Sequence, residues 1–244
     1  MRRTISNQSE YTKLIAKNLI IVAFIMTFIL FVYYAIEIYS ISRAHVPALS
    51  IDYHIPYLEV FVVPYVFIFY SIIFYAIIFY SIEKPGKFIK FIYTFLLTNI
   101  IAFVIYLIYP TINIIRPKKL PDTFLSRIMK NYYDKDISTN CLPSLHVGES
   151  WAITFNFLED NDKKIVITTV LLAILISLST IFVRQHYILD IPAGILVAFS
   201  AFLISKKISK QEEIYTPIEP SKIHRATAIF LIILQPLLTI YFLC

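Results

Sequence analysis

Long apolar stretches recur through this chain, most of them close to the length a helix needs to cross a bilayer. Seven are read, at approximately Leu19–Ser40, Tyr57–Ile82, Phe88–Tyr109, Pro143–Leu158, Ile165–Val183, Ile188–Ile204 and Ala226–Leu243. About 20 apolar residues rise roughly 30 Å as an α-helix, which is the depth of the hydrocarbon layer. Backbone polar groups inside that layer must be satisfied internally, so such runs fold as helices packed on one another. The expected fold class is therefore all-α, a polytopic membrane helix bundle. Composition agrees: 58% of the 244 residues are hydrophobic and 16% are charged, against about 25% charged in soluble domains. Disorder is excluded by the same figures, and two cysteines cannot staple a chain this long.

The fourth stretch is the shortest and carries His146, Glu149 and Asn156, so it is expected to face the protein interior. The first follows Arg2 and Arg3 but is too long for a signal peptide and lacks a small-residue cleavage site, which makes it a retained span. Basic residues set the orientation. Clusters at Arg2/Arg3, Lys84/Lys87/Lys90, Lys163/Lys164 and Lys206/Lys207/Lys210 all fall on one side, whereas the other holds Arg43, Arg184 and the long third-to-fourth connection. The N-terminus is expected in the cytoplasm. The net charge of +6 is then a property of membrane-facing loops, and no nucleic-acid partner is expected.

In this topology the end of span three, the start of span four, the end of span five and the start of span six emerge together outside. These points hold most of the unusual polar chemistry. The first is the run from Tyr109 to Lys119, with Arg116, Lys118 and Lys119. Arginine offers a planar fork of donors suited to phosphate oxygens, although a basic loop also suits lipid headgroups. The second is Asn140-Cys141-Leu142-Pro143-Ser144-Leu145-His146. Pro143 fits a first helical turn, whose free N–H groups attract anions; Ser144 adds a hydroxyl, and His146 can carry a proton near neutral pH. A capped helix start with an interfacial histidine is the plainer alternative. The third runs from Ser179 through Arg184 and His186 to Asp190. His186 and Asp190 are four apart, so on a helix they share a face, and a carboxylate on one ring nitrogen frees the other to attack. Asp190 could equally cap the helix ahead of Pro192.

Taken together, two histidines, a carboxylate and two arginines can transfer a phosphoryl group without a metal. No metal or other cofactor is expected, because the cysteines lack ligand spacing and the arginines would repel a cation.

The three segments resemble the motifs of the type 2 phosphatidic acid phosphatase superfamily, which read Lys-x6-Arg-Pro, Pro-Ser-Gly-His and Ser-Arg-x5-His-x3-Asp. The matching residues are Arg116-Pro117, Pro143-Ser144-Leu145-His146, and Ser179 through His186 to Asp190. Leu145 and Gln185-His186-Tyr187 bring the chain nearest the branch of inositol phosphorylceramide synthases. The resemblance implies a six-span phosphatase-type core with the seventh span outside it, hence a catalytic membrane domain at 1–205 and a cytoplasmic linker with an extra helix at 206–244. It further implies His186 as a nucleophile forming a phosphohistidine, Asp190 orienting it, His146 as general acid, and Arg116 and Ser144 on the phosphate. Three positions depart from the pattern. Tyr109 stands at the lysine of the first motif, with Lys118 and Lys119 as substitutes. Leu145 replaces glycine. Thr180 occupies the arginine position of the third motif, and Arg184, one helical turn later, is expected to deliver the guanidinium instead.

The function expected from this set is an integral plasma-membrane phosphatase for lipid phosphates or diphosphates, with its site facing outward. Headgroup transfer to another alcohol is the alternative, and a transporter or inactive relative is the third reading. The middles of the spans are almost free of charge, which counts against transport. Glu149, three after His146, is read as tuning that histidine, as reading a headgroup, or as an ion-pair partner. Nothing in the sequence sets the oligomeric state.

Overall fold

The computed structural model describes residues 2–4, 7–160, 162–209 and 213–215. The seventh expected span and Cys244 lie outside them.

Helix α1 (Gln8–Ser40) begins at Asn7, whose side chain accepts the Glu10 N–H at 2.9 Å. This is the cap that an Asn gives to orphan donors of a first turn. Val22, Ile29 and Ile36 recur every seven residues on its inner side and are buried, while Ile20, Phe24 and Phe31 are more than two-thirds exposed. One narrow stripe thus packs on the protein, and the remaining apolar surface suits lipid.

The second span starts as a 3₁₀ turn (Glu59–Phe61), widens into a π-helical turn (Val63–Ile68) and continues as α2 (Phe69–Ile82). Pro64, at the N-terminal end of the wide turn, accepts the Phe69 N–H through its carbonyl. π turns are rare and tend to occur at functional positions, and this one carries Tyr65, with Phe69 at the start of α2, toward the site described below. Helix α3 (Phe88–Ile108) follows after a short turn.

No span is read in the long connection after α3, and it contains a helix, α4 (Phe124–Lys135), capped by Thr123. Leu125, Ile128, Met129, Tyr132 and Tyr133 follow the i, i+3, i+4 rhythm of one apolar face. They pack on Val62, Tyr65, Val66 and Val183. The opposite face carries Arg127, Lys130 and Asp134, which are exposed. Too short and polar to span, α4 lies over the end of the bundle.

Helix α5 (Leu145–Phe157) is central, packed against α3, α6 (Lys163–Phe182), α7 (Asp190–Ile208) and α2. Its 13 residues rise only about 20 Å, and most of them are buried, as its polar residues suggest. Five helical segments are long and apolar enough to cross a membrane: Gln8–Arg43, Glu59–Ile82, Pro85–Ile108, Lys163–Phe182 and Asp190–Ile208. The chain is an all-α integral membrane protein, and α5 is the one expected span among the described residues that is not in this set.

Two glycines let α5 approach its neighbours. A Cβ on Gly194 would stand 2.7 Å from the Ser144 carbonyl oxygen and 3.0 Å from Val147 Cβ; one on Gly148 would stand 3.1 Å from Thr98 Cγ2. At the far end, Lys90 and Lys206 pair with Glu159, and Lys84 and Lys87 with Asp160. Burial pushes the Glu159 carboxyl up, but the two lysines outweigh it and hold the group below its usual range. Residues Arg2–Thr4 pair in parallel with Glu213–Tyr215, the one β ladder among the described residues.

Candidate active site

The polar chemistry gathers where α5 and α7 begin. Helix α6 ends at Phe182, and Arg184 follows in the left-handed region, at φ 57. A bulky residue there costs about 1 kcal/mol or more and persists where its surroundings require it. The N–H groups of Gln185 and His186 then both donate to the Thr180 carbonyl, at 3.0 and 3.1 Å, which folds the chain back into the bundle.

The expectation that Arg184 shares a helical face with Thr180 does not hold, because the helix has stopped before it. The Thr180 hydroxyl donates to the Ser177 carbonyl at 2.8 Å. The Arg184 guanidinium binds backbone carbonyls: Ile115 at 3.1 Å, Asp52 at 2.7 Å, and Ile55. Its own carbonyl accepts from Asn113 Nδ2 at 3.0 Å. Arg184 therefore ties three segments together, and it is not on the wall of the cavity beside the site.

His186 Nδ1 lies 3.0 Å from Asp190 Oδ2 and 3.0 Å from the Cys141 carbonyl. Both partners are acceptors, so Nδ1 carries the hydrogen and a neutral ring keeps its lone pair on Nε2. Asp190 is fully buried and accepts a second bond from the Tyr187 N–H at 3.0 Å. The expected pair is thus in hydrogen-bond contact, across a turn that leads into α7.

The His146 ring stands 6.3 Å from that of His186, centroid to centroid. It stacks on Tyr65 at 4.1 Å and meets Phe69, tilted by 32°, at the same distance. Its Nε2 is buried with no hydrogen-bond partner among the described residues. Ser144 caps α5 through Val147 N at 3.5 Å and donates its own N–H to the Asp190 carbonyl at 3.2 Å. It joins the starts of α5 and α7, and it lies behind the cavity wall.

Arg116 is brought to the same place. Its Nε and Nη2 donate to Gln185 Oε1 at 2.9 and 2.6 Å, its Nη1 donates to the Tyr133 and Asp136 carbonyls, and it forms an ion pair with Asp136. The guanidinium also lies over the Tyr133 ring, 4.9 Å from its centroid. Gln185 Nε2 is buried without a hydrogen-bond partner among the described residues, a donor at the cavity wall. Lys118 and Lys119 are exposed and away from the wall.

Several supporting residues carry no motif signal. Asp52 accepts the Leu49 and Ile188 N–H groups at 2.7 and 2.9 Å, so the loop after α1 holds the turn around His186. The Tyr187 hydroxyl donates to the Ile112 carbonyl at 3.2 Å and accepts from Ile114 N at 3.0 Å; burial pushes its pKa up to about 12, which keeps the donor. Burial likewise pushes the Cys141 thiol well up. Only pairing order in space, not spacing in sequence, could have pointed to Asp52 or Asp136.

Below these groups a cavity of about 680 Å³ extends between α1, α2 and α3. His146, His186, Arg116 and Gln185 lie at its polar end, and Val22, Ile29, Ile73 and Ile77 along its apolar depth. On α1 its walls run from Leu19 to Tyr34, roughly 22 Å at 1.5 Å per residue. No group of three or more His, Cys, Asp or Glu side chains that could hold a metal occurs among the described residues.

A buried histidine–carboxylate pair thus lies near a second histidine, with an arginine beside them and an apolar cavity beneath. A family model described as the PAP2 superfamily matches residues 40–204, and the chain belongs to that superfamily. Membership fits an enzyme of the lipid phosphatase or phosphotransferase type. Comparisons with curated proteins and with solved structures give no match.

Proposed function

We propose that the protein removes phosphate from a lipid phosphate or diphosphate through a phosphohistidine on His186. The observation that carries this reading is the 3.0 Å contact of His186 Nδ1 with Asp190, on the wall of a cavity with an apolar depth. The Nε2 lone pair attacks phosphorus, and the P–O bond to the lipid breaks. His146, in its protonated form, gives its proton to the departing oxygen. Water then attacks phosphorus and gives its proton to the neutral His146, the N–P bond breaks, and inorganic phosphate leaves. Asp190 stabilises the imidazolium character that develops on attack.

Arg116 and the Gln185 amide supply donors to the phosphoryl oxygens, assisted by the N–H groups of the first turn of α5. Arg184 and Ser144 are assigned positioning roles, from the contacts described above. Lys118 and Lys119, exposed on the outer connection, draw anionic headgroups toward it. The basic clusters at the opposite end support a site facing the extracytoplasmic side, in the plasma membrane, with catalysis carried by 1–205.

Headgroup transfer, as in the inositol phosphorylceramide synthase branch, is a second reading. It is favoured by enclosure: α4 and the Tyr65–Phe69 wall cover the histidines, which are less than a tenth exposed, so a lipid alcohol within the cavity has access that bulk water lacks. Purified protein given lipid phosphates, alone and with candidate alcohol acceptors, separates the two by the product formed.

A further inference from the structure

The cavity carries a second polar group that phosphoryl transfer does not use. Glu149 lies three residues after His146 on α5, on the same face and about 4.5 Å deeper along the axis. It lines the cavity and is 8% exposed, and no cationic side chain stands against it among the described residues. Asn99 of α3 lies within hydrogen-bond reach of it and is fully buried on the same wall. Asn99 Nδ2 donates to the Phe95 carbonyl at 3.0 Å, and its Oδ1 has no partner among the described residues. The Glu149 carboxyl and the Asn99 amide oxygen thus face the cavity near Tyr70 and Tyr106, and of the two groups it is the Asn99 oxygen that lacks a donor among the described residues. A buried acceptor without a donor is costly, which makes such a pair selective for whatever supplies one.

Resting on the reading of the cavity as a lipid phosphate site, we infer that Glu149 and Asn99 form a subsite accepting a hydrogen bond from a hydroxyl or amide N–H carried by the lipid within a few atoms of its phosphoester. The depth matches: with phosphorus at His186 and the ester oxygen at His146, the next turn of α5 meets the first carbons of the chain. Below it, the walls from Ile73 to Ile77 suit plain hydrocarbon. The preferred substrate is then an amphiphile with a polar backbone, not a phosphate on an unadorned hydrocarbon chain.

The test is binding of hexadecyl phosphate and its 2-hydroxy and 3-hydroxy derivatives to His186→Ala protein in lipid nanodiscs, so that no turnover interferes. A hydrogen bond to a buried acceptor predicts that one hydroxylated lipid binds about tenfold tighter than hexadecyl phosphate. Adding Glu149→Leu is expected to bring that ratio close to one, and Glu149→Gln to reduce it. A folding defect weakens all the lipids together, whereas loss of the subsite collapses only the ratio. Equal affinities in the His186→Ala parent overturn the inference whatever the variants do, and a ratio that survives Glu149→Leu overturns the assignment to Glu149. Phosphate release by the wild-type protein is scored separately: its absence counts against the phosphatase reading, while the affinity ratio still judges the subsite.

Discussion

His186 Nδ1 stands 3.0 Å from Asp190 Oδ2, and the same nitrogen meets the Cys141 carbonyl at 3.0 Å. Two acceptors on one nitrogen leave the ring a single neutral tautomer, the one with its lone pair on Nε2. Asp190→Asn removes the charge and permits the other tautomer. Turnover is expected to fall by about 10³–10⁴-fold with little change in KM, read as phosphate release at saturating lipid. Near wild-type turnover in this variant would remove the orienting role from Asp190.

Arg184 is assigned to the scaffold, on the strength of its bonds to the Asp52, Ile55 and Ile115 carbonyls. Arg184→Ala strands those carbonyls, so a loss of about 1–3 kcal/mol in stability is expected, along with reduced turnover as Gln185 and His186 shift. Arg184→Lys is expected to recover only part of both, since an ammonium lacks the fork that reaches both the Asp52–Ile55 segment and Ile115. Thermal unfolding in detergent alongside kinetics checks this; reduced turnover with an unchanged unfolding temperature would return Arg184 to direct phosphate contact.

Much of this arrangement was legible beforehand. Long apolar runs announce helices because hydrocarbon leaves the backbone no other partner, and the polar segments between them mark one end of the bundle. His146, His186, Asp190 and Arg116 were therefore found in sequence and do come together. What stayed hidden depends on distant pairing. The role of Arg184 turns on where α6 stops, which spacing alone does not give. Asp52, Asp136 and Gln185 act through loops that meet only in three dimensions. The apolar face of α4 was readable at Leu125, Ile128, Met129 and Tyr132, but its charged residues hid it among the basic residues of a long connection.

Close packing of α5 on α7 sets the distance between His146 on α5 and the turn bearing His186 that leads into α7. At Gly194 a methyl group meets backbone, 2.7 Å from the Ser144 carbonyl oxygen; at Gly148 it meets the Thr98 side chain at 3.1 Å. Gly194→Ala is expected to lower both unfolding temperature and turnover, the latter by tenfold or more, as about 1 Å of misplacement can cost 10²-fold. Gly148→Ala is expected to be milder, because a side chain can shift. The reverse order would contradict this account of the crossing.

Cys141 offers a check that involves no catalysis. Burial raises its thiol pKa well above the usual value, so the thiolate fraction at pH 8 falls below that of an exposed cysteine. In a Cys244→Ser background, maleimide is expected to leave the folded protein unlabelled over a time that labels it fully in denaturant. Rapid labelling of the folded protein would show the loop below His186 to be open.

The most direct measurement of the central claim is capture of the phosphoenzyme. Protein mixed with a lipid phosphate labelled at phosphorus is quenched in denaturant at alkaline pH, where a phosphohistidine survives, and the label is mapped by proteolysis and tested for acid lability. The account predicts acid-labile label on the peptide containing His186, absent from His186→Ala, which also releases no phosphate. Phosphate release that persists in His186→Ala, or label mapped to another residue, would contradict it.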